Sequence, residues 1–215
     1  MPTERLDKVN ETEIFKYSAC ATEIEVEGKN FIDHVGLSSE DQSATYAAMI
    51  NWTHMAPPFR SGKDYCVHLA ASFDLSEDEI LQIGHFIETY DEETKPFPRE
   101  RMQYVIYPAK KEPTKNNPCR RFSCAGFVIE AYRFAGIILL DNLDLLPKRD
   151  LEFIKLYYRE VDCLGPKLLS RLGLDELGSW PVLLPGYVFH AFADEIARRN
   201  GIPFQPEEKH AFFLP

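Results

Sequence analysis

Hydrophobic and polar residues alternate near the start of the chain in the way that is typical of β-strands. The segment 21–27 alternates along its length, and an apolar run covers 31–37. The turn-forming residues 28–30 separate the two segments, which are therefore predicted to pair as a hairpin. A further apolar run, 65–73, is predicted to be a buried strand.

Helical periodicity begins at residues that commonly cap helices. Ser38 precedes acidic residues and predicts a helix that continues to Ile50. Ser76 likewise predicts a capped helix that ends near Tyr90. A short strand is predicted over 102–107. Beyond it the periodicity is helical in three segments: 148–163, 166–178 and 185–199.

These elements divide the chain into three parts and indicate an α+β fold. A flexible N-terminus is expected over 1–12, a mixed core over 13–145, and a helical C-terminal extension packed on the core over 146–215. A chain of 215 residues can bury roughly 70% of its unfolded surface. The core is therefore expected to need no disulfide bond.

The composition excludes several classes of partner. The chain has 24 Lys and Arg against 34 Asp and Glu, a formal net charge of −10. Nucleic acid and anionic lipid both require a basic surface, so neither is expected as a partner. No apolar run approaches the roughly 20 residues that span a bilayer, and no signal peptide is evident, so a cytoplasmic location is expected. The five cysteines are irregularly spaced and are expected to be free thiols.

One predicted helix begins with a cysteine. Ser123 can cap this helix, and Gly136 lies where its C-terminal end is expected. Cys124 would be the first helical residue, where the helix dipole and free N–H groups favour a thiolate and could bind an oxyanion. Arg120 and Arg121 would add positive charge nearby. The alternative interpretation is an ordinary buried cysteine on a helix.

The sequence around Cys124 resembles the nucleophile helix of the NlpC-type papain-like cysteine peptidases and amidases. That family typically has Asp-Cys-Ser-Gly-Phe/Leu-Val, then an aromatic residue, and Gly-Ile at the helix end. Cys124 matches the nucleophile, whereas Ser123 and Ala125 depart from the pattern. The positions that match the family's scaffold are Gly126, Phe127, Val128, Tyr132, Gly136 and Ile137.

The resemblance implies a histidine base on a neighbouring strand. In circularly permuted relatives, which include the YaeF/YiiX-like and lecithin retinol acyltransferase-like groups, the histidine strand precedes the cysteine helix. The segment 33–37, Asp-His-Val-Gly-Leu, is similar to that strand, and 67–70 is a second segment of the same type. By resemblance Cys124 is the nucleophile, His34 the base and His68 the residue that orients it, although the roles of the two histidines could be exchanged.

The implied fold is a papain-like core in which the nucleophile helix packs on a small antiparallel sheet or barrel. The implied function is a cysteine hydrolase that cleaves small peptides, other amides or lipid esters through a thioester acyl-enzyme, without a cofactor or metal. Tyr107 could contribute to the oxyanion hole. Acyl transfer to an acceptor other than water stays open, as does the oligomeric state. The alternative is a catalytically inactive papain-like fold that serves as a binding or interaction module.

Overall fold

The computed structural model describes residues 13–40, 42–43, 50–53, 59–61, 67, 69–71, 74–95, 120, 122–157, 178–194 and 201–212. The predicted N-terminus 1–12 and the strand 102–107 lie outside these residues, as does the predicted helix 166–178 except for Gly178, which is not helical.

The centre of the fold is an antiparallel hairpin of strands β2 (Ala19–Val26) and β3 (Lys29–Ser38), as predicted. The two residues of its turn, Glu27 and Gly28, have φ angles of 53° and 74°. Two successive left-handed residues are typical of a type I′ turn, whose twist matches that of the strands it joins. The turn therefore lies one residue earlier than expected.

The hairpin is part of a five-stranded antiparallel sheet with the order β6-β5-β3-β2-β7. The other members of this sheet are β5 (Asn51–Thr53), β6 (Arg60–Ser61) and β7 (Leu69–Ala71). Two antiparallel pairs lie outside it: β1 (Glu13–Ile14) with β4 (Gln42–Ser43), and β8 (Lys148–Asp150) with β9 (Ser179–Pro181).

Helices cover this sheet. The α-helices of the described residues are α1 (Glu77–Thr94), α2 (Cys124–Phe134), α3 (Leu151–Tyr157) and α4 (Pro185–Ala193). Helices α2 and α4 both pack on β3, and α1 packs on α2. The structure is thus mixed α and β, with a small antiparallel sheet and several helices, which is compatible with the expected α+β class.

Two apolar clusters lie within the described residues. The larger one joins β2 and β3 to α1, α2 and α4; its largest fully buried side chains are Tyr90, Tyr132, Tyr187, Phe31, Phe127 and Phe192. The smaller one consists of Ile14, Cys20, Ile50, Trp52 and Val67.

The predicted cap of α1 is confirmed. The Ser76 hydroxyl accepts the Glu79 N–H at 3.3 Å, and the Glu79 carboxylate accepts the Ser76 N–H at 2.7 Å. This reciprocal pair is a capping box. The helix continues to Thr94, beyond the expected end near Tyr90, and the Thr94 hydroxyl donates to the Tyr90 carbonyl at 2.8 Å.

The prediction of a helix that begins at Ser38 is wrong at its first residues. Ser38 ends β3, where its N–H donates to the Ser18 carbonyl at 3.0 Å and its hydroxyl to the Phe15 carbonyl at 2.6 Å. Gln42–Ser43 then pairs with β1, and β5 follows Ile50. These tertiary hydrogen bonds override the local capping signal. Residues 44–49 lie outside the described part of the chain.

The chain beyond Pro147 is also less helical than expected. The first predicted helix, 148–163, does not begin as a helix, because its first three residues form strand β8. In this strand Arg149 is partly buried, whereas Lys148 and Asp150 are exposed. That burial has the period of two that is typical of a strand, and pairing with β9 stabilises it. Helices α3 and α4 then occupy parts of two of the predicted segments.

The last described segment, 201–212, lies against strand β3 and helix α4. We refer to it as the C-terminal strap. It forms a bridge from Phe204 to Leu140 and another from Phe212 to Phe31. It also approaches α4 so closely that a Cβ at Gly186 would clash with the backbone oxygen of His210 in the strap. Glycine at position 186 is therefore required for this packing.

Two histidines connect the strap to α4. The Nε2 atom of His190 lies 2.8 Å from the Phe212 carbonyl oxygen, and the Glu207 N–H donates to Nδ1 of His210 at 2.8 Å. The two imidazole centroids are 5.3 Å apart. Burial lowers the pKa of both histidines from the usual 6.5; for His210 the neighbouring charges of His190 and Lys209 lower it further.

We expect these histidines to make the stability of the strap depend on pH. Because their folded-state pKa values are lowered, the stability they contribute is present above the unfolded-state pKa of about 6.5 and is lost as the pH falls through the folded-state values. The free energy of unfolding, measured with urea, should therefore fall between about pH 7.5 and 5.5.

A double variant tests this assignment. His190→Gln keeps a donor for the Phe212 carbonyl, and His210→Asn keeps an acceptor for the Glu207 N–H, so the variant should fold but lose part of the pH dependence. His85→Gln, on the exposed face of α1, is the matched control and should behave as the unsubstituted protein. Equal pH slopes in the double variant and the unsubstituted protein would contradict the assignment.

Candidate active site

Helix α2 begins at Cys124, with Ser123 as its N-cap, as the sequence predicted. The Ser123 hydroxyl accepts the Gly126 N–H at 3.1 Å, and the Ser123 carbonyl accepts the Phe127 N–H at 2.9 Å. In an α-helix the first N–H groups have no acceptor within the helix. With Gly126 capped, those of Cys124 and Ala125 are the donors at the helix end that an anion could use.

The other end of α2 is also fixed. Gly136 has a φ angle of 80°, its N–H donates to the Arg133 carbonyl at 3.0 Å, and the Ile137 N–H donates to the Tyr132 carbonyl at 3.0 Å. These two hydrogen bonds form a Schellman motif, which favours glycine at its left-handed position. The expected helix end at Gly136 is confirmed.

The middle of α2 is anchored on the sheet and on α4. The Tyr132 hydroxyl donates to the Tyr17 carbonyl, just before β2, at 2.8 Å, and this hydrogen bond is buried. The Tyr132 ring meets Phe192 of α4 edge-on, with centroids 4.7 Å apart. Phe127 and Val128 on the same helix are fully buried in the larger cluster. These contacts fix the position of Cys124 relative to β3.

The residue that leads into α2 is anchored on α1. The Tyr90 hydroxyl donates to the Arg120 carbonyl at 3.0 Å, and the Arg120 guanidinium forms a two-point ion pair with Glu93, at 3.0 and 3.1 Å. It also lies over the Phe86 ring, 5.5 Å from its centroid. Glu93 therefore neutralises the charge that the sequence suggested Arg120 would offer to Cys124. Arg121 lies outside the described residues.

The two described cysteines occupy different environments. Cys20 has no exposed surface and lies in the smaller apolar cluster; burial raises the pKa of its thiol to about 12. Cys124 is 5% exposed, lies at a helix N-terminus, and belongs to neither apolar cluster of the described residues. We therefore expect Cys20 to be unreactive in the folded protein, where it can serve as an internal reference. Cys66, Cys119 and Cys163 lie outside the described residues.

His34 lies in β3, next to a β-bulge. It pairs with Thr22 of β2, whereas Glu23 pairs with Ile32, so Asp33 is the extra residue. The Thr22 hydroxyl donates to Asp33 Oδ1 at 2.5 Å, and Asp33 Oδ2 lies 4.0 Å from Nε2 of His34. The His34 side chain is 22% exposed. A carboxylate at this distance stabilises a positive charge on the imidazole.

Sequence reasoning had assigned no role to Thr22 or Asp33. Asp33 adjoins His34 in the sequence, but a carboxylate next to a histidine on a strand normally points to the opposite face. Only the bulge brings the two side chains together, and its position depends on the register between β2 and β3. The residues of this cluster are therefore visible in the sequence, but no local pattern predicts the contact between Asp33 and His34.

Cys124 and His34 stand on adjoining elements, because α2 packs on β3. Strand alternation places His34 on the same side of the sheet as Cys20, whereas Val35 points to the other side and joins the larger cluster, together with Phe127 of α2. A contact between Cys124 and His34 therefore requires that the bulge turn the imidazole toward the start of α2. The pairing of these two residues stays a prediction.

The other two predicted site residues, His68 and Tyr107, lie outside the described residues. Strand β7 begins at Leu69, which pairs with Ala21 of β2. Leu69 belongs to the larger cluster, as expected for its face, but Val67 lies with Ala70 in the smaller one. Val67 therefore lies outside β7 and does not follow its alternation, so the predicted strand 65–73 is shorter at its start than expected.

The described residues contain no group of three or more His, Cys, Asp or Glu side chains placed to hold a metal ion. In the same part of the chain, each helix is too short or too polar to cross a bilayer.

We expect Ser123→Ala to lower the free energy of unfolding by about 1 kcal/mol, because the Gly126 N–H loses its acceptor. Ser123→Asp, which keeps an acceptor and has the residue usual in the resembled family, should retain most of the stability. Urea unfolding followed by circular dichroism measures both variants. If the alanine variant is as stable as the unsubstituted protein, the cap does not stabilise α2.

Comparisons with protein-family models, with curated proteins and with solved structures found no match for this chain. A function must therefore be inferred from the site itself.

Proposed function

We propose that this chain is a cysteine hydrolase with a permuted papain-like core, in which Cys124 attacks the carbonyl carbon of an amide or ester. One observation carries the proposal: Cys124 is the first residue of a capped helix that packs on the strand bearing Asp33 and His34. A thiol at that position has backbone donors beside it and a titratable imidazole on the adjoining element.

In the first half of the reaction, His34 takes the proton from the Cys124 sulfur, which bonds to the carbonyl carbon. The resulting oxyanion accepts hydrogen bonds from the N–H groups of Cys124 and Ala125. The bond to the leaving amine or alcohol then breaks, and the imidazolium of His34 protonates the leaving group. The carboxylate of Asp33, 4.0 Å from the imidazole, stabilises the imidazolium during this step.

In the second half, His34 removes a proton from water, which attacks the thioester. The carbon–sulfur bond breaks, the carboxylic acid leaves, and the proton returns to the Cys124 sulfur. An acceptor alcohol or amine in place of water would make the same intermediate an acyl donor. By the family resemblance, His68 orients His34 and Tyr107 adds a donor for the oxyanion, and the substrates are small peptides, other amides or lipid esters.

A specific observation favours a second function, a binding module on the same fold. Cys124 is only 5% exposed, and strand alternation directs His34 away from the face on which Val35 lies. A protein that had lost catalysis would tolerate both features. The two functions differ in the reactivity of Cys124.

Alkylation by iodoacetamide, followed by peptide mass mapping, measures that reactivity. A thiol with the reference pKa of about 8.5 is only about 1% thiolate at pH 6.5. We expect Cys124 to react at this pH at least about tenfold faster than the same peptide in urea-unfolded protein, and Cys20 to stay unlabelled in the folded protein. His34→Gln should slow the labelling of Cys124 and leave Cys20 unchanged. Equal, slow labelling of Cys124 and Cys20 would favour the binding module.

Acylation by p-nitrophenyl acetate tests the covalent intermediate. We expect a burst of p-nitrophenol and one acetyl group on Cys124, seen by mass spectrometry after an acid quench. Cys124→Ala should reduce turnover to background and His34→Gln by roughly 10²–10⁴-fold, whereas Cys20→Ala should keep both burst and adduct. A burst that survives Cys124→Ala would contradict the proposed nucleophile.

A further inference from the structure

A cavity of about 650 Å³ opens between the β2–β3 turn, the start of α3 and the C-terminal strap. Its volume lies in the range of sites that hold small organic molecules. The described residues that line it include neither Cys124 nor His34. Ligand binding in this cavity therefore does not depend on the proposed hydrolase.

The lining of the cavity is positively charged, although the chain as a whole has a formal charge of −10. Lys29, Arg149 and Lys209 contribute three cations and Glu208 contributes one carboxylate. Lys209 is itself paired with Glu207 at 3.1 Å, which leaves a local excess of one positive charge. These side chains come from three separate segments of the chain that the fold brings together. A local excess of positive charge on an acidic protein favours an anionic ligand at this place.

Two aromatic rings in the lining lie beneath these cations. The Arg149 guanidinium carbon is 4.5 Å from the Phe153 ring centroid, and the Lys29 ammonium is 5.5 Å from that of Phe212. Both rings meet the fully buried Phe31 edge-on, at 6.4 and 5.9 Å, which holds them in place. The cavity thus offers apolar surface directly beside the positive charge.

The Arg149 guanidinium has N–H donors that a ligand could use. Its side chain is only 13% exposed, yet its two Nη atoms make long hydrogen bonds, at 3.2 Å to Glu208 and 3.4 Å to the Tyr187 hydroxyl. Its Nε is buried without an acceptor among the described residues. A guanidinium has five N–H donors. Glu208 is 75% exposed, so a carboxylate from a ligand can replace it at little cost.

We propose that this cavity binds an organic carboxylate, with the carboxylate on Arg149 in place of Glu208 and the apolar or aromatic part against Phe153 and Phe212. Lys29 adds charge at the rim. The ligand class follows from the pairing of a planar guanidinium, which suits a carboxylate, with two neighbouring aromatic rings that offer apolar surface.

Isothermal titration calorimetry with 2-naphthoate tests this site, with neutral 2-naphthamide and with acetate as matched probes. We expect 2-naphthoate to bind measurably and both controls to bind at least about tenfold more weakly, because each lacks one half of the recognition. Lys29→Gln, at an exposed position, should weaken the binding of 2-naphthoate by roughly two- to fivefold. Glu208→Gln should strengthen it, because the competing carboxylate is removed.

Arg149→Gln should weaken binding by about tenfold or more. If that variant does not fold, Lys29→Gln and Glu208→Gln still test the proposal, because the first should lower the affinity for 2-naphthoate and the second should raise it. Lys155→Gln, on α3 but outside the cavity lining, makes the same change of charge and should leave affinity unchanged. The proposal is overturned if 2-naphthoate does not bind at millimolar concentration, or if it binds equally to all these variants.

Discussion

Helix α2 is held across strand β3 by its apolar face and by one buried hydrogen bond, from the Tyr132 hydroxyl to the Tyr17 carbonyl, 115 residues away in the sequence. Fully burying a side chain such as Phe127 or Val128 contributes about 1.5–3 kcal/mol, so this helix cannot slide without losing several such contributions. Ser123 and Gly136 fix its two ends. The position of Cys124 relative to the β2–β3 hairpin follows from that packing, and every chemical step proposed for the protein depends on it.

The two described thiols show how position alone separates two cysteines of equal intrinsic chemistry. Cys20 lies on a strand inside an apolar cluster, where a thiolate would have no donor and little solvent, and its pKa rises to about 12. Cys124 is nearly as buried, but it lies at a helix N-terminus, where the first N–H groups have no acceptor within the helix, and outside both clusters. Burial alone therefore does not separate the two environments; the neighbouring groups do.

Local signals in the sequence predicted the hairpin, the caps at Ser76 and Ser123, and the helix end at Gly136, because each depends on residues that are close together in the sequence. The same kind of signal was misleading at Ser38, whose hydroxyl and N–H serve contacts with Phe15 and Ser18 that only the folded chain creates. The β8–β9 pair, the bulge at Asp33 and the cavity around Arg149 likewise depend on segments that are distant in sequence. Pattern alone could not reveal them.

The central claim is that Cys124 and His34 act on one another. The most direct test is the pH titration of the His34 imidazole, followed by the ¹³Cε1 chemical shift with selectively labelled histidine, in the unsubstituted protein and in Cys124→Ala. If the two side chains form a pair, the loss of the thiol changes the pH at which His34 titrates. Superimposable His34 curves in the two proteins would show that the residues do not interact and would contradict the proposed catalytic pair.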